Sequence, residues 1–392
     1  MKILYGVQGT GNGHISRARI MAHHFKRHNA QVTFLFSGRC KSKLFDMDIF
    51  GDYLYRKGLT FTTKSGAIDY LETARNNHFI QFAKDIANLD LSEYHLVLSD
   101  FEPITAWAAN MQQKPLIATG HQYAFGENTP VCGENFIAKN VMKMFAPAKV
   151  KIGQHWHPYH NHILPPIIDT SLAPLPCHGA IVVYLPFEDQ KHITRLLRNL
   201  KQYRFIQYSS DIEDGIYENV TLRKANHDGF KRDLCGARGV ICNSGFELNS
   251  ECIHLGIPVL TRPVSGQMEQ LSNAKALQQL GFAEVMDQVN SRSIGKWLQR
   301  IQTSQSAQPK TMPDVAEQLV QWILAGRWNQ PQKLSYKLWQ EYSFLNQTPV
   351  QFPEDSAMGT SLLPELNLPA LVGKVLNTLT PLAKQPSLSS NA

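Results

Sequence analysis

Short apolar segments alternate with amphipathic segments along most of this chain, and this alternation restricts the possible folds more than any other feature. In the first half, apolar runs predict buried strands at residues 2–7, 31–36, 95–99 and 115–119. Helical periodicity predicts helices at residues 14–27, 102–111 and 134–145. Such alternation is typical of α/β proteins, in which helices cover both faces of a parallel sheet.

The alternation restarts after a proline-rich segment, residues 163–178, which cannot form a regular helix and is predicted to be a linker. Beyond it, strands are predicted at residues 180–185, 204–208, 239–242 and 258–261. Helices are predicted at residues 191–199, 246–255, 267–280, 291–302 and 313–325. We therefore predict two α/β domains, residues 1–162 and 179–326. Residues 327–392 form a C-terminal extension that we expect to be partly disordered.

Composition limits the class of protein. A length of 392 residues is more than one hydrophobic core usually supports, and no apolar run is long enough for a transmembrane helix. The first residues lead directly into a strand without the pattern of a secretory signal, and the six cysteines include no CxxC pair. We therefore expect a cytoplasmic protein with free thiols. The net charge of +7 favours anionic partners, but the dispersed basic residues do not predict nucleic-acid binding.

A glycine-rich turn that ends in a histidine lies between the first predicted strand and the first predicted helix. Gly9, Gly11 and Gly13 allow a sharp bend and a close approach of the backbone to a ligand. His14 opens the helix, with Arg17 one turn later, above the carboxyl end of a strand, where open α/β sheets place their sites. A neutral imidazole there can take a proton from a substrate hydroxyl. The alternative is an ordinary turn with a histidine at the helix start.

The most specific stretch is residues 241–274, which predicts a strand, a tight turn, a helix, a second strand, a polar loop and another helix. Asn243, Ser244 and Gly245 form the turn, so the next helix presents its free backbone N–H groups and its dipole to an anion. Glu251, one to two turns into that helix, can accept hydrogen bonds from a sugar diol. The polar loop adds Gln267, Glu269 and Gln270 for a polyhydroxylated ligand. The alternative is that these are ordinary helix caps and surface polar residues.

Together these motifs resemble the donor site of the GT-B glycosyltransferases, in particular the MurG and UDP-glucuronosyltransferase group. In that group a Ser/Gly turn holds the diphosphate, a glutamate on the next helix binds the ribose, and Gly-x-Pro, Gln and Asn-Ala follow. This chain matches the pattern at residues 244–245, 251, 256–258, 269–270 and 273–274. The glycine-rich turn resembles the loop whose histidine is thought to act as base. The segment around Asp100 resembles the one whose aspartate pairs with that histidine.

The resemblance implies two Rossmann-like domains that face each other across a cleft, with the acceptor in the N-terminal domain and the donor in the C-terminal domain. It implies transfer of a sugar from a nucleotide-diphosphate sugar, UDP-linked, to an acceptor hydroxyl with inversion and without a metal or other cofactor. The catalytic pair is then His14 and Asp100. The donor contacts are then Gly11, Gly13, Asn243, Ser244, Gly245, Glu251, Gln267, Glu269 and Gln270. The acceptor contacts are then Phe101, Glu102 and His121.

Several alternatives stay open at this point. The acceptor can be a lipid, a glycan or a small molecule. The chain lacks the long donor signature of the plant-type enzymes, so the likeness is to bacterial or archaeal members of the group. The same fold can also carry a nucleotide-sugar 2-epimerase or hydrolase, or a nucleotide-sugar binding protein without catalytic activity.

Two further segments have both a plain and a functional interpretation. Four histidines lie close together at positions 155, 157, 160 and 162. Because Pro158 interrupts them and no helical i, i+4 pair is predicted, we predict a loop near the cleft rather than a zinc site. Residues 135–151 mix apolar and lysine side chains. Such a segment can lie on an anionic membrane, or it can face the core with solvated lysines, which we favour.

Overall fold

The computed structural model describes residues 1–60, 63–64, 66–68, 72–73, 77–126, 128–133, 143–303, 308–326 and 328–350. These residues form two sheets that are almost entirely parallel, each with apolar clusters on both faces. None of the helices in the described ranges has the length and hydropathy needed to span a lipid bilayer. Most of the predicted helix at 134–145, and the tail beyond residue 350, lie outside these ranges.

The N-terminal sheet brings the ends of two central strands together. The strands in this half are β1 (Lys2–Gln8), β2 (Gln31–Ser37), β3 (Leu54–Tyr55), β4 (Thr63–Lys64), β5 (Ala67–Ile68), β6 (Leu96–Asp100), β7 (Leu116–Gly120) and β8 (Val150–Gly153). The helices are α1 (Asn12–Arg27), α2 (Phe79–Ala87) and α3 (Pro103–Met111). The parallel sheet has the order β3-β2-β1-β6-β7-β8, and β4 and β5 form a separate hairpin. Because β1 pairs with β6, with Val7 opposite Asp100, the glycine-rich turn begins beside Asp100.

The C-terminal sheet repeats this arrangement. Its strands are β9 (Ala180–Tyr184), β10 (Arg204–Ser209), β11 (Gly215–Tyr217), β12 (Val220–Lys224), β13 (Gly239–Asn243), β14 (Val259–Arg262) and β15 (Glu284–Val285). Its helices are α4 (Gln190–Arg198), α5 (His227–Cys235), α6 (Phe246–Leu255), α7 (Met268–Gln279) and α8 (Ser291–Thr303). The strand order is β11-β12-β10-β9-β13-β14-β15, and only β11 runs antiparallel to its neighbour within the described part of the sheet.

The predicted strands and helices agree closely with the observed ones because most of them carry strong apolar patterns. Helix α6 begins and ends at the predicted residues. Each predicted strand differs from the observed strand by at most one residue at either end. Several elements were not predicted, among them strands β8, β11, β12 and β15, helix α5 and the helix at Pro331–Asn346. Helix α5 is short, contains Gly229, which lowers its helix propensity, and buries only Leu234.

The last two helices pack on the N-terminal domain, which differs from the predicted domain boundary. Helix α9 (Val315–Leu324) was assigned to the C-terminal domain, but its buried Leu319 belongs to the same apolar cluster as Met21 of α1. Helix α10 (Pro331–Asn346) lies in the predicted extension and buries Leu338 in that cluster. The indole of Trp339 donates a 2.7 Å hydrogen bond to the carbonyl of Ile163. The chain therefore crosses back to complete the N-terminal core, and this part of the extension is an ordered helix.

The proline-rich segment is packed rather than free. Leu164 pairs with the backbone of Gly153 and His155, and it is 1% exposed. Ile167 and Ile168 are buried in two different apolar clusters. The prolines do prevent a helix here, as predicted, but the apolar side chains between them are held against the folded domains. The first part of the linker is therefore a fixed crossover.

Candidate functional site

The glycine-rich turn leaves the start of helix α1 open. Gly9 donates a 2.6 Å hydrogen bond to the carbonyl of Ser37, and a Cβ at position 9 would lie only 2.8 Å from that oxygen. Gly11 is the N-cap of α1 and provides no side-chain cap, and a Cβ there would meet no atom within 4 Å. The start of α1 therefore has no side-chain cap, while Gly9 allows β1 and β2 to approach closely.

His14 and Asp100 form a close pair, as predicted. The Nδ1 of His14 lies 2.7 Å from Oδ1 of Asp100, which is the last residue of β6. The carboxylate is completely buried, whereas the histidine side chain remains 13% exposed. Since the carboxylate accepts a hydrogen bond from Nδ1–H, the free lone pair of the ring is at Nε2. This is the atom that can accept a proton from a ligand.

Arg17 shares the carboxylate of Asp100 with His14. Its Nε lies 2.7 Å from Oδ2 and its Nη2 lies 2.5 Å from Oδ1, and its side chain is 1% exposed. Burial acts to raise the pKa of Asp100, but the charges of Arg17 and His14 outweigh it and the pKa is lowered. Asp100 is therefore a carboxylate at neutral pH. The sequence alone does not assign a role to Arg17, although the i, i+3 spacing from His14 places both residues on one face of α1.

Glu247 of the C-terminal domain reaches into this cluster. It lies in the first turn of α6, and its Oε1 accepts a hydrogen bond from Nη1 of Arg17. Its carboxylate also occupies the place where a side chain on Gly13 would stand. Local sequence patterns do not predict this contact of Glu247, because it forms between two domains that are far apart in the sequence.

A pocket lies between the domains beside this cluster. Gly13 contributes one wall, and Tyr184, Phe230 and Glu251 contribute the opposite wall. Glu251 is 3% exposed and forms an ion pair with Nζ of Lys231, a residue of the unpredicted helix α5. The pocket thus combines aromatic rings, a carboxylate and an ammonium group, all in one site.

The turn before α6 is open in the same way as the turn before α1. Gly245 is the N-cap, it provides no side-chain cap, and a Cβ there would meet no atom within 4 Å. Ser244 is completely buried and its hydroxyl lies 2.9 Å from that of Thr261. The amide nitrogen of Asn243 donates to the carbonyl of Arg262 at 3.0 Å. Neither polar side chain caps the helix, so the backbone N–H groups at its start remain available to an anion.

The sequence matches the family model for glycosyl transferase family 1 over residues 1–302. The chain belongs to glycosyl transferase family 1. No curated protein matches the sequence significantly.

Solved structures show the fold of this glycosyltransferase. CalG4, the calicheamicin glycosyltransferase, is 12% identical with a TM-score of 0.52, over 88% of this chain and 98% of its own. The glycosyltransferase of kitacinnamycin is 12% identical with a TM-score of 0.51, over 88% and 98%. A Listeria monocytogenes protein assigned as a UDP-N-acetylglucosamine 2-epimerase is 12% identical with a TM-score of 0.53, over 90% and 98%. The predicted GT-B arrangement of two Rossmann-like domains is confirmed.

The polar loop of this glycosyltransferase meets the N-terminal domain through Gln122. The amide nitrogen of Gln122 donates to Oε2 of Glu269 at 3.0 Å and lies 3.4 Å from Nε2 of His14. Gln267 is partly exposed at the start of α7. The side-chain oxygen of Gln270 accepts from the backbone of Val264 at 3.0 Å, and its side chain is buried. Gln270 therefore holds the loop through its side-chain oxygen, whereas a donor contact was predicted for it.

Two of the three predicted acceptor contacts of the glycosyltransferase are structural. Glu102 is completely buried, and its carboxylate caps α3 by accepting from the backbone N–H groups of Ile104 and Thr105. His121 is 1% exposed, with Nδ1 2.7 Å from the carbonyl of Gln154 and Nε2 2.5 Å from Oδ1 of Asn273. Burial lowers the pKa of the His121 imidazole. Both side chains are therefore buried and hydrogen-bonded inside the protein, unlike the exposed groups expected of acceptor contacts.

Phe101 lies directly after Asp100 and has a positive φ of 51°, which is unusual for a large side chain. Its ring stacks on Phe145 with centroids 5.0 Å apart. Phe145 belongs to the segment considered for membrane contact. Of that segment only residues 143–151 are described, and the Phe145 side chain is buried.

The described histidines do not form a metal-ligand cluster. No group of three His, Cys, Asp or Glu side chains in the described ranges is arranged to hold a metal ion. The ring of His155 is completely buried against Trp156 and Tyr159, and burial holds its pKa well below the usual range. Nδ1 of His157 accepts from the backbone of Tyr159 at 3.0 Å.

Proposed function

We propose that this glycosyltransferase moves a sugar from a UDP-linked nucleotide sugar to an acceptor hydroxyl, with inversion at the anomeric carbon. The observation that carries the proposal is the His14–Asp100 pair at the start of α1, which is linked through Arg17 to Glu247 of the donor domain. Gly13, the neighbour of His14, lines one wall of the interdomain pocket. The opposite wall is helix α6, whose N-terminus has no side-chain cap. A base on one side and an anion-binding helix end on the other are what a single displacement at a sugar diphosphate requires.

In the proposed reaction, Nε2 of His14 takes the proton of the acceptor hydroxyl. The acceptor oxygen forms a bond to the anomeric carbon, and the bond from that carbon to the diphosphate oxygen breaks with its electron pair. Asp100 holds the imidazole in place and balances the charge that it gains. The N–H groups at the start of α6 stabilise the negative charge that develops on the leaving diphosphate.

The donor contacts that we propose lie on the C-terminal wall. Glu251 accepts hydrogen bonds from the ribose diol, and Lys231, which is paired with it, adds positive charge near the diphosphate. Tyr184 and Phe230 offer ring faces to the base, with their own centroids 5.5 Å apart. Because the helix end and Lys231 supply positive charge, we propose that no metal is required. The six unpaired cysteines support a reducing, cytoplasmic setting.

Binding of UDP tests the donor site. UDP at about one hundred times its dissociation constant should stabilise the protein by about 2.7 kcal/mol. Glu251→Ala should weaken UDP binding by about 1–3 kcal/mol, because hydrogen bonds to the ribose are lost. Thermal unfolding and calorimetric titration measure both effects. Glu284→Gln, which changes an exposed glutamate on β15, is the control that should bind UDP like the wild type.

The products then decide between the functions that the fold allows. Incubation of the protein with the best-binding UDP-sugar and candidate acceptors should give a glycosylated product by mass spectrometry. An epimerised sugar or free sugar formed without any acceptor would contradict glycosyl transfer. So would UDP-sugar binding without turnover against lipid, glycan and small-molecule acceptors.

A further inference from the structure

The carboxylate of Glu247 crosses from the donor domain into the charged cluster around the base. Glu247 is 16% exposed, and it contacts Arg17, which is itself bound to both oxygens of Asp100. Asp100 in turn accepts from His14. A continuous chain of hydrogen bonds therefore runs from the first turn of α6 to the imidazole.

Charge balance gives this chain of contacts a consequence for proton transfer. If Arg17 had Asp100 as its only carboxylate partner, the two charges would cancel. No negative charge would then remain to balance a protonated His14. With Glu247 present, the cluster holds two carboxylates and one guanidinium, so a proton on His14 brings the sum to zero. Without Glu247, the same proton would leave a net positive charge in a buried place, which is unfavourable.

We propose that Glu247 is a positioning residue for the base: it neutralises Arg17 from the opposite domain, so that the Asp100 carboxylate is left to hold and balance a protonated His14 only when the two domains are closed. The inference rests on the proposed function, since it takes His14 as the base. It assigns to one residue of the donor domain a role in the chemistry of the acceptor domain.

The contacts across the cleft support closure as the condition. Nδ2 of Asn12 donates to the hydroxyl of Tyr184 at 2.7 Å, and Gln122 contacts Glu269 at 3.0 Å. Gly13 has no side chain, and this leaves room for the Glu247 carboxylate against α1. Any opening of the cleft that separates α1 from α6 would break the contact between Arg17 and Glu247.

The test compares Glu247→Gln, which keeps the size of the side chain and removes its charge, with Glu247→Asp, which keeps the charge. The readout is kcat against pH, measured at saturating concentrations of a UDP-sugar and an acceptor that react with the wild type. We expect Glu247→Gln to lower kcat roughly 3- to 30-fold and to move the acid limb of the profile to lower pH by roughly one unit. Glu247→Asp should keep the acid limb near its wild-type position. Glu284→Gln is the matched control and should not change either quantity.

The other charged or titratable groups that face the cluster do not change in these variants; they are Tyr5, His121, Tyr123 and Glu269. UDP affinity should not weaken in Glu247→Gln, because the variant removes a negative charge close to the diphosphate. If the variant fails to fold, as judged by its thermal transition, Glu247→Ala provides the second neutral substitution.

An acid limb that stays in place in the neutral variant would overturn the inference, with or without a loss of kcat, because a purely structural role gives that result. If the acid limb stays in place but the wild type transfers sugar, the proposed function still stands and only this inference fails. A wild type that transfers no sugar from any nucleotide sugar that it binds would overturn the proposed function and this inference together.

Discussion

At the scale of single residues, the site depends on one buried carboxylate that serves two partners. Asp100 holds the imidazole of His14 at 2.7 Å and also binds Arg17 through both of its oxygens. A buried guanidinium needs such a partner, and a base needs the same carboxylate for its charged form. Asp100 therefore contributes to both stability and catalysis, and a change at this residue affects both.

Asp100→Asn should lower kcat by about 10²-fold or more, because an amide cannot balance the charge of a protonated His14. It should also lower the free energy of unfolding by about 3–5 kcal/mol, since Arg17 loses a buried charged partner. Steady-state kinetics and urea unfolding measure the two effects. Asp211→Asn, at an exposed position, is the control. Wild-type turnover in a folded Asp100→Asn protein would contradict the proposed role of the carboxylate.

Sequence patterns predict those site residues whose position follows from one element. His14, Asp100 and Glu251 lie at a strand end or on a helix with a strong motif, and the structure places each at or beside the cleft. Glu247 and Lys231 could not be predicted, since their partners lie on other elements far away in the sequence. Sequence patterns also did not predict the intramolecular partners of Glu102, His121 and Gln270, because a polar residue near a turn can bind a ligand, the backbone or the opposite domain.

At the scale of helices and strands, the least expected feature is the return of α9 and α10 to the N-terminal domain. The apolar periodicity of α9 predicts a helix, but it does not indicate which of the two domains the helix packs against. Helix α9 also contacts α1 through polar groups. Oε2 of Glu317 lies 2.8 Å from Nδ1 of His24, and Oε1 of Glu317 lies 2.8 Å from Nε2 of His28. The hydrogen bond from His24, opposed by partial burial and assisted by His28, lowers the pKa of Glu317 to about 2.

This pKa shift gives a pH-dependent contribution to stability. A carboxyl group whose pKa is lowered by folding stabilises the native state above its unfolded pKa, and the contribution is lost as the pH falls through the folded value. Glu317→Gln should therefore lower the melting temperature at pH 5.5, and the difference from the wild type should shrink between about pH 4.5 and 2. The effect should stay below about 1 kcal/mol, because the pair is partly exposed. Thermal melts of both proteins across this range provide the test, and a difference that does not vary with pH would contradict the assignment.

At the scale of the whole molecule, the two domains meet through several specific contacts rather than through the linker alone. His121 stacks on Phe246 with ring centroids 4.0 Å apart and also contacts Asn273. Arg17 contacts Glu247 beside the pocket. The alternation of strands and helices predicted two α/β domains, and the structure and its similarity to CalG4 confirm them. Contacts between domains depend on how two surfaces approach each other, and local sequence patterns do not carry that information.

The most direct test of the account is the rate of sugar transfer by His14→Ala, measured together with UDP affinity. His14 belongs to the N-terminal domain, whereas the proposed donor contacts belong to the C-terminal domain. The account predicts that turnover falls by about 10²–10⁴-fold, the usual contribution of a general base, while the UDP dissociation constant changes little. Wild-type turnover by His14→Ala, with an acceptor known to react, would contradict the assignment of His14 as the base.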